Sequence, residues 1–345
     1  MQRPVGISRD FLDPGGNNVW GDIGLAGLDE AGIPWEYLPE DLPELTPEQV
    51  DGRPAVIFAN PAVTARTFDG VAEPPLVLAR FGVGYDSVDL DACTANGVAA
   101  TITPDGARRP VATAALTMIL ASFHNLIAKD RIIRRGDWDR RTEWMGRGLT
   151  GRTVGLIGLG NTSTDLVELL RPFQTKVLAY DPYCPAQRAT DLGVELVGLD
   201  DLAAGADVVV VMTVLTDETR HLVSTSFLNR MKATAHLVNV SRGPIVDEAA
   251  LTDALRNGTI TAAALDVFES EPVAAQNPLL DMDNVILTPH SVAWTDEMSL
   301  GNGSSAVQAV IDALNGTAPK YVVNRPVLEQ EAFLGRLRSQ TKVKQ

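Results

Sequence analysis

Short runs of almost entirely apolar residues recur through the second half of the sequence, and a turn and a helical pattern follow most of them. The candidate strands are residues 153–157, 176–180, 194–197, 208–212, 236–240, 262–267 and 285–287. Strands that are apolar on both faces are typical of parallel sheets covered by helices on both sides. With helical segments at 165–170 and 248–256 between them, the pattern predicts a doubly wound α/β sheet.

The first third of the sequence has the same character, with candidate strands at 5–7, 35–38, 55–58, 76–79 and 99–103. One long helix is predicted from Pro110 to about residue 135, since proline suits a first helical turn. Another helical run follows Ala293 and extends to Leu314. A chain of 345 residues, 45% of them hydrophobic, is long enough for two domains with their own cores.

Charge and cysteine content exclude several classes of protein. The net charge of −15 repels phosphate backbones, so we expect no nucleic-acid partner. Cys93 and Cys184 have no paired spacing, which favours a reducing cytoplasm and no metal site. Residues 1–10 lack the apolar core of a signal peptide, and no run approaches about 18 apolar residues, so we expect no membrane span.

A glycine loop follows the candidate strand 153–157 and begins a helix. Gly158 permits the tight turn, and Gly160 leaves room for a pyrophosphate near the backbone. The amides of Asn161 and Thr162 then point at the phosphates with the helix dipole behind them. Ser163 stands where the third glycine of the fingerprint is usual. The loop predicts dinucleotide binding, although an ordinary strand-to-helix turn remains an alternative.

Asp181 follows the next candidate strand, about twenty residues after the glycine loop. A carboxylate in this place accepts hydrogen bonds from both ribose hydroxyls and repels a 2′-phosphate. The sequence therefore predicts NAD (NADH) over NADP. A simple strand-end Asp-Pro turn is the alternative.

Three chemically apt residues follow the last three candidate strands: Arg242, Glu271 and His290. Ligands of open α/β sheets bind beyond the carboxyl ends of the strands. Reduction of a 2-keto acid needs a cation to hold and polarise the substrate, an acid to protonate the carbonyl oxygen, and a carboxylate that supports the acid. Arg242, His290 and Glu271 suit these roles. Each alone is more often a surface or structural residue, but their coincidence at successive strand ends favours a catalytic set.

At these residues the sequence resembles the D-isomer-specific 2-hydroxyacid dehydrogenase family. The resemblance extends from residue 80 to residue 290, with specific motifs at 238–243, 246–251, 264–268 and 287–290. It implies that Arg242, Glu271 and His290 are the catalytic residues. It also implies an inserted Rossmann-type NAD-binding domain at 105–293, a flavodoxin-like substrate domain built from 1–104 and 294–345, and a homodimer.

The resemblance implies further site residues. Substrate would be bound by Arg242 and His290 together with the backbone of Val83 and Gly84. Arg80 would either add charge or be an ordinary strand residue. Four positions match family positions that line the cofactor: Thr213, Val240, Ser241 and Asp266, the last receiving the nicotinamide carboxamide. The chain departs from the common family pattern at Thr113, Ser163, Met212 and Val214. Trp294 is expected either to wall the substrate pocket or to be an ordinary buried or interface tryptophan.

The sequence thus predicts an NAD-dependent oxidoreductase that interconverts a small 2-keto acid and a (2R)-hydroxy acid. Two alternatives stay open. One is a dinucleotide-sensing interaction protein that resembles the C-terminal-binding corepressors. The other is a dehydrogenase that oxidises phosphite or a phosphonate on the same scaffold.

Overall fold

The computed structural model describes residues 3–342 and divides into two compact units. The first unit contains the residues up to Ala107 and those from Trp294 onward, and the second unit is Arg108–Ala293. The boundaries expected from the sequence were 104/105 and 293/294. The first division therefore falls three residues later in the structure, inside a helix.

Within residues 3–342 the chain forms twelve strands and twelve α-helices. The strands are β1 Val5–Ile7, β2 Trp35–Tyr37, β3 Ala55–Phe58, β4 Val77–Arg80, β5 Ala99–Thr101, β6 Thr153–Ile157, β7 Lys176–Tyr180, β8 Glu195–Leu196, β9 Val208–Val211, β10 His236–Asn239, β11 Ala262–Leu265 and β12 Val285–Leu287. The helices are α1 Ala26–Glu30, α2 Pro47–Val50, α3 Leu90–Ala95, α4 Pro104–Phe123, α5 Leu126–Arg134, α6 Asn161–Leu170, α7 Ala186–Leu192, α8 Leu199–Gly205, α9 Thr225–Arg230, α10 Glu248–Arg256, α11 Asp296–Leu314 and α12 Glu331–Lys342.

The second unit is built on a seven-stranded parallel sheet in the order β12-β11-β10-β9-β6-β7-β8. Buried side chains form one apolar core on each face of this sheet. Because both faces are covered, the strands need apolar residues throughout, which is why they were recognisable in the sequence. The strand order reverses between β6 and β9, and ligands of open α/β sheets bind at such a point.

The first unit is built on a five-stranded parallel sheet in the order β2-β1-β3-β4-β5. This is the order of flavodoxin-like sheets. Two apolar cores cover its faces, and the C-terminal helices α11 and α12 contribute to one of them. The predicted fold class, two α/β domains with one of them built from both chain ends, is confirmed.

The helix predicted from Pro110 to residue 135 is wrong in both extent and continuity. The structure has α4 beginning at Pro104 and a separate α5, bent by 57° from α4. Pro104 takes the helix start, where a missing N–H costs nothing, and Pro110 lies inside the helix. The break falls at Asn125, whose φ of 51° is left-handed, a conformation that asparagine tolerates better than most residues.

Among residues 3–342 no single helix is long and apolar enough to cross a membrane. The bent pair α4 and α5 meets the requirement of length and composition only when the two helices are taken together.

A buried histidine lies at the start of β10. His236 is 2% exposed, and its Nδ1 is 2.6 Å from the hydroxyl oxygen of Ser122 on α4. Its Nε2 is buried without a hydrogen-bond partner among the described residues. Burial and, to a smaller extent, the positive charge of Arg147 lower the pKa of His236 to about 4. The ring is therefore neutral in the folded protein near pH 7.

We predict that His236 makes the protein labile to acid. The unfolded chain binds a proton at this residue below about pH 6.5, whereas the folded chain does so only near pH 4. Its contribution to the free energy of unfolding is complete above pH 6.5 and falls by about 3 kcal/mol as the pH drops to 4. Denaturant unfolding at several pH values should show a weaker pH dependence in His236→Gln. The exposed His124→Gln is the control, and an unchanged pH dependence in His236→Gln would contradict the prediction.

Candidate active site

Three neighbouring strands of the second unit deliver the predicted catalytic residues to one edge of the sheet. Arg242 follows β10, Glu271 follows β11, and His290 follows β12. The three strands are adjacent and parallel, so the segments that follow them leave from the same edge. Arg242 and His290, which are 48 positions apart in the sequence, therefore lie at the same edge of the sheet.

Glu271 and His290 are in direct contact. The His290 Nδ1 lies 2.7 Å from Glu271 Oε2, and the Phe268 amide donates to Glu271 Oε1 at 2.9 Å. Partial burial acts to raise the pKa of Glu271. The hydrogen bonds from His290 and Phe268, with the positive charges of His290 and Arg242, outweigh burial, so the pKa lies below its usual value. The carboxylate is thus ionised near neutral pH, and the His290 Nε2 is directed away from it.

Asp266, at the end of β11, holds the segment that carries His290. Its side chain is 5% exposed, and its Oδ1 accepts hydrogen bonds from the Thr288 hydroxyl at 2.6 Å and from the amides of Ser291 and Val292 at 2.9 and 3.1 Å. The Asp266 carbonyl oxygen also accepts from the His290 amide at 2.8 Å. Burial raises the pKa of Asp266, and these hydrogen bonds oppose the rise only in part. His290 itself has a left-handed φ of 52°, which this network stabilises.

Hydrogen bonds to residues at the end of β10 and just after it hold both the backbone and the side chain of Arg242. The side-chain amide of Asn239 donates to the Arg242 carbonyl at 3.0 Å, and the guanidinium Nη1 donates to the Ser241 carbonyl at 2.8 Å. The positive charge of Arg242 is near enough to lower the pKa of Glu271. The charges of His290 and Arg242 therefore both act on the Glu271 carboxylate, so the three predicted catalytic residues lie near one another.

Gly243, which the sequence analysis named only within a motif, lies where two segments of the candidate site meet. A Cβ at this position would overlap the carbonyl group of Phe268, so the turn after Arg242 packs directly against the backbone before Glu271. His221, which is expected from the sequence to be structural, also joins the turn after Arg242 to the segment before Glu271. Its Nε2 is 2.6 Å from Glu269 Oε1, and its amide donates to the Pro244 carbonyl at 2.9 Å.

The glycine loop has the geometry that a dinucleotide requires. Gly158 has a φ of 96°, and a Cβ there would lie 2.8 Å from the Met212 carbonyl oxygen, so only glycine suits the position. Gly160 caps α6, and no atom lies within 4 Å of the place a Cβ would take. The ten-residue helix α6 begins at Asn161, so the amides of Asn161 and Thr162 lie at its N-terminus beside this open space.

The packing of Ser163 shows why a serine can stand where the third glycine of the fingerprint is usual. The residue is fully buried, and its hydroxyl donates to the Gly158 carbonyl at 2.8 Å. Serine is small enough for the contact between α6 and the sheet, and its hydrogen bond ties the helix to the turn that it follows.

Asp181 lies beside the same loop. Its Oδ2 accepts from the Leu159 amide at 2.8 Å, and its Oδ1 accepts from the Tyr183 amide at 3.0 Å. The carboxylate is therefore oriented by backbone donors next to the glycine loop, as an acceptor for ribose hydroxyls would be. Together with the open space at Gly160, this arrangement fits a dinucleotide.

Two of the positions predicted to line the cofactor are joined, because the Ser241 hydroxyl donates to the Thr213 carbonyl. Val240 packs against one of the two cores of the sheet.

Of the positions that depart from the family pattern, Met212 packs against the same core as Val240, whereas Val214 is 68% exposed. Thr113 is exposed on α4, where its hydroxyl donates to the Arg109 carbonyl at 3.0 Å.

In the first unit, the predicted substrate-binding residues lie at the end of β4, which is Arg80, and in the turn after it. The Gly82 amide donates to the Thr103 hydroxyl at 2.8 Å, which fixes the start of the turn formed by residues 82–84. The Arg80 guanidinium occupies the space beside Gly82 where a side chain would be, and its Nη1 donates to the Phe81 carbonyl at 3.0 Å. Val83 is exposed and Gly84 is half-buried, so the turn faces outward from its unit.

We predict that Gly243→Ala separates the Arg242 turn from the Phe268 backbone. Overpacking of this kind costs about 1–3 kcal/mol, and here the obstacle is backbone, so the upper end is expected. Thermal unfolding should show the loss, and hydrogen exchange of the Phe268 amide should accelerate because its bond to Glu271 is strained. Gly148→Ala is the control, since nothing lies within 4 Å of a Cβ there. Equal behaviour of the two variants would contradict the prediction.

Comparison with known proteins agrees with this geometry. Residues 116–292 match the family model for the D-isomer specific 2-hydroxyacid dehydrogenase, NAD binding domain. The D-3-phosphoglycerate dehydrogenase of Archaeoglobus fulgidus is 38% identical over 257 residues, which are 74% of this chain and 49% of that protein. The glyoxylate reductase of Thermofilum pendens is 37% identical over 263 residues, which are 73% of this chain and 76% of that protein.

Among solved structures, the NADPH-dependent glyoxylate/hydroxypyruvate reductase of Sinorhizobium meliloti is similar with a TM-score of 0.78 and 27% identity, over 94% of this chain and 98% of that one. The chain spans about half the length of the D-3-phosphoglycerate dehydrogenases that it matches. The second unit is an NAD-binding domain, and NAD is its cofactor. The chain belongs to the D-isomer-specific 2-hydroxyacid dehydrogenase family.

Proposed function

We propose that the protein is an NAD-dependent dehydrogenase that interconverts a 2-keto acid and a (2R)-hydroxy acid. The observation that carries the proposal is the hydrogen bond of 2.7 Å between His290 and the ionised Glu271, in the electrostatic neighbourhood of Arg242. When bound, NADH supplies a hydride to C2 of the keto acid, so that keto acid, NADH and one proton become hydroxy acid and NAD⁺.

His290 gives the proton to the substrate oxygen in the direction of reduction and takes it back in the direction of oxidation. Because Nδ1 is held by Glu271, the transfer uses Nε2. The negative charge of Glu271 stabilises the imidazolium that donates, and its bond to the Phe268 amide fixes the direction of the ring. Glu271 is thus a positioning and electrostatic partner of His290.

Arg242 binds the substrate. Its planar guanidinium donates to carboxylate and carbonyl oxygens at once, which orients the keto acid and polarises the C2 carbonyl. In the first unit, we assign binding of the substrate carboxylate to the amides of Val83 and Gly84, with Arg80 adding positive charge. The Gly82 amide already donates to Thr103, which leaves the two following amides for the ligand.

The quaternary state and compartment are part of the proposal. Large apolar side chains are exposed on α5, on the 3₁₀ helix Trp138–Trp144 and at the residue after it, among them Trp138 (61%) and Met145 (82%). A second copy of the chain would cover them. We therefore propose a homodimer that pairs through the second unit. The two cysteines are free thiols, which supports a cytoplasmic location and is compatible with reducing conditions.

We predict that His290→Ala lowers kcat/KM for keto-acid reduction by about 10²- to 10⁴-fold, the usual worth of positioned acid–base catalysis. The assay follows NADH consumption over glyoxylate, hydroxypyruvate, pyruvate, phenylpyruvate and branched keto acids. The exposed His124→Ala is the matched control. A wild-type protein that binds NADH but turns over no keto acid would overturn the proposed function in favour of a dinucleotide sensor. Full activity of His290→Ala would remove His290 from the mechanism.

We predict that NADH exceeds NADPH in kcat/KM by at least about tenfold, because a 2′-phosphate beside the Asp181 carboxylate is repelled. In Asp181→Ala the ratio should move toward NADPH by a similar factor. The control is Asp253→Ala, an exposed carboxylate on α10. Initial rates with each cofactor measure the effect, and equal use of both cofactors by the wild type would refute the role of Asp181.

A further inference from the structure

Four aromatic side chains of the first unit form a continuous cluster. The ring of Trp20 lies 5.1 Å from that of Phe81, 6.0 Å from Phe11 and 4.4 Å from Trp294, measured between centroids. Phe11 and Phe81 are buried, whereas Trp294 is 52% exposed and Trp20 is half-buried. The cluster therefore has a buried base and an exposed side formed by the two tryptophans.

The chain itself links the buried base of this cluster to the proposed carboxylate-binding turn. Phe81 is the residue before Gly82, so the buried base of the cluster leads into the turn. Two side chains that flank the amides of the turn are also apolar and exposed, Val83 at 41% and Tyr85 at 40%. We call Trp20, Trp294, Val83 and Tyr85 the aromatic face. Grouped exposed apolar side chains beside a polar anchor are typical of ligand sites.

The chemistry of a 2-keto acid determines what such a face contacts. The carboxylate carbon and the first atom of the variable substituent are both bonded to C2, so a group that holds the carboxylate lies close to the substituent. In this assignment, the surface around the turn is the surface that the substituent contacts. An apolar face gains free energy from an apolar substituent and gains none from a hydrogen atom, as in glyoxylate.

A cavity at the same end of the sheet has the opposite character and disfavours phosphate. It measures about 330 Å³ and is lined by Asp10, Asp41, Leu42, Pro43, Asn60 and Pro61. It lies after β1 and β3, where the strand order of the first unit reverses. Burial raises the pKa of Asp10, and the charge of Asp41 raises it further. The residues that line the cavity include two carboxylates and no cation, so the lining offers no positive charge to a phosphorylated substituent.

We infer that the aromatic face makes this protein selective for 2-keto acids with a bulky apolar substituent, arylalkyl above all, over glyoxylate and over phosphorylated keto acids. The inference deepens the proposed function and rests on it, because a keto acid must first be the substrate. Trp294 and Trp20 are specificity residues in this assignment, and the catalytic set in the second unit is unchanged.

The test compares kcat/KM for phenylpyruvate, pyruvate, glyoxylate and 3-phosphohydroxypyruvate with saturating NADH. Phenylpyruvate should exceed each of the others by at least about tenfold, the discrimination expected from burying a ring against an apolar wall. In Trp294→Ala the value for phenylpyruvate should fall about tenfold while that for pyruvate stays within about twofold. Trp294→Phe should retain most of the preference.

Leu300→Ala is the matched control, because Leu300 is a large apolar residue of the same unit that is 46% exposed on α11. Thermal unfolding of each variant checks the fold, and competitive inhibition by (R)-phenyllactate against (R)-lactate gives a second readout. If glyoxylate or 3-phosphohydroxypyruvate is the best substrate, the inference is overturned and the proposed function stands. An equal loss on all substrates in Trp294→Ala also overturns it. If no keto acid is reduced with either NADH or NADPH, both fall together.

Discussion

The ionised carboxylate of Glu271 is the group on which the geometry of the second unit's strand ends depends. It accepts from the Phe268 amide on one oxygen and from His290 on the other, so it connects the end of β11 to the segment after β12. Asp266, five residues earlier, is in the contrasting environment. It is buried, its pKa is raised, and it holds backbone rather than an imidazole. Two neighbouring carboxylates thus have pKa values shifted in opposite directions, one bound to backbone amides and the other to an imidazole.

Much of this arrangement could be predicted from the sequence, for a physical reason. Strands buried on both faces must be apolar throughout, so β6, β7 and β12 were recognised with their true bounds, and the other strands of the second unit to within two residues. Parallel strands bring their carboxyl ends to one edge, so residues after successive strands could be expected to meet. The placement of Arg242, Glu271 and His290 follows from these two constraints.

The remainder depends on approaches between segments that are distant in the sequence. The break between α4 and α5 is set by one asparagine in a left-handed conformation, and no residue pattern distinguishes it from the helix-compatible asparagines. Gly243 is required because the Phe268 backbone lies against it, and the bridge from His221 to Glu269 crosses 48 positions. A motif can include such residues, but their physical role becomes visible only when the partner segment is in place.

The hydroxyl of Ser163 has a consequence for how nucleotide folds are recognised. A search pattern that insists on a third glycine treats this chain as defective, although its serine supplies a bond that glycine lacks. The underlying requirement at that position is small volume. A hydroxyl that reaches back to the first glycine's carbonyl meets this requirement and adds a tether between helix and turn. Descriptors written in terms of volume and donor capacity would therefore detect cofactor domains that letter-based fingerprints overlook.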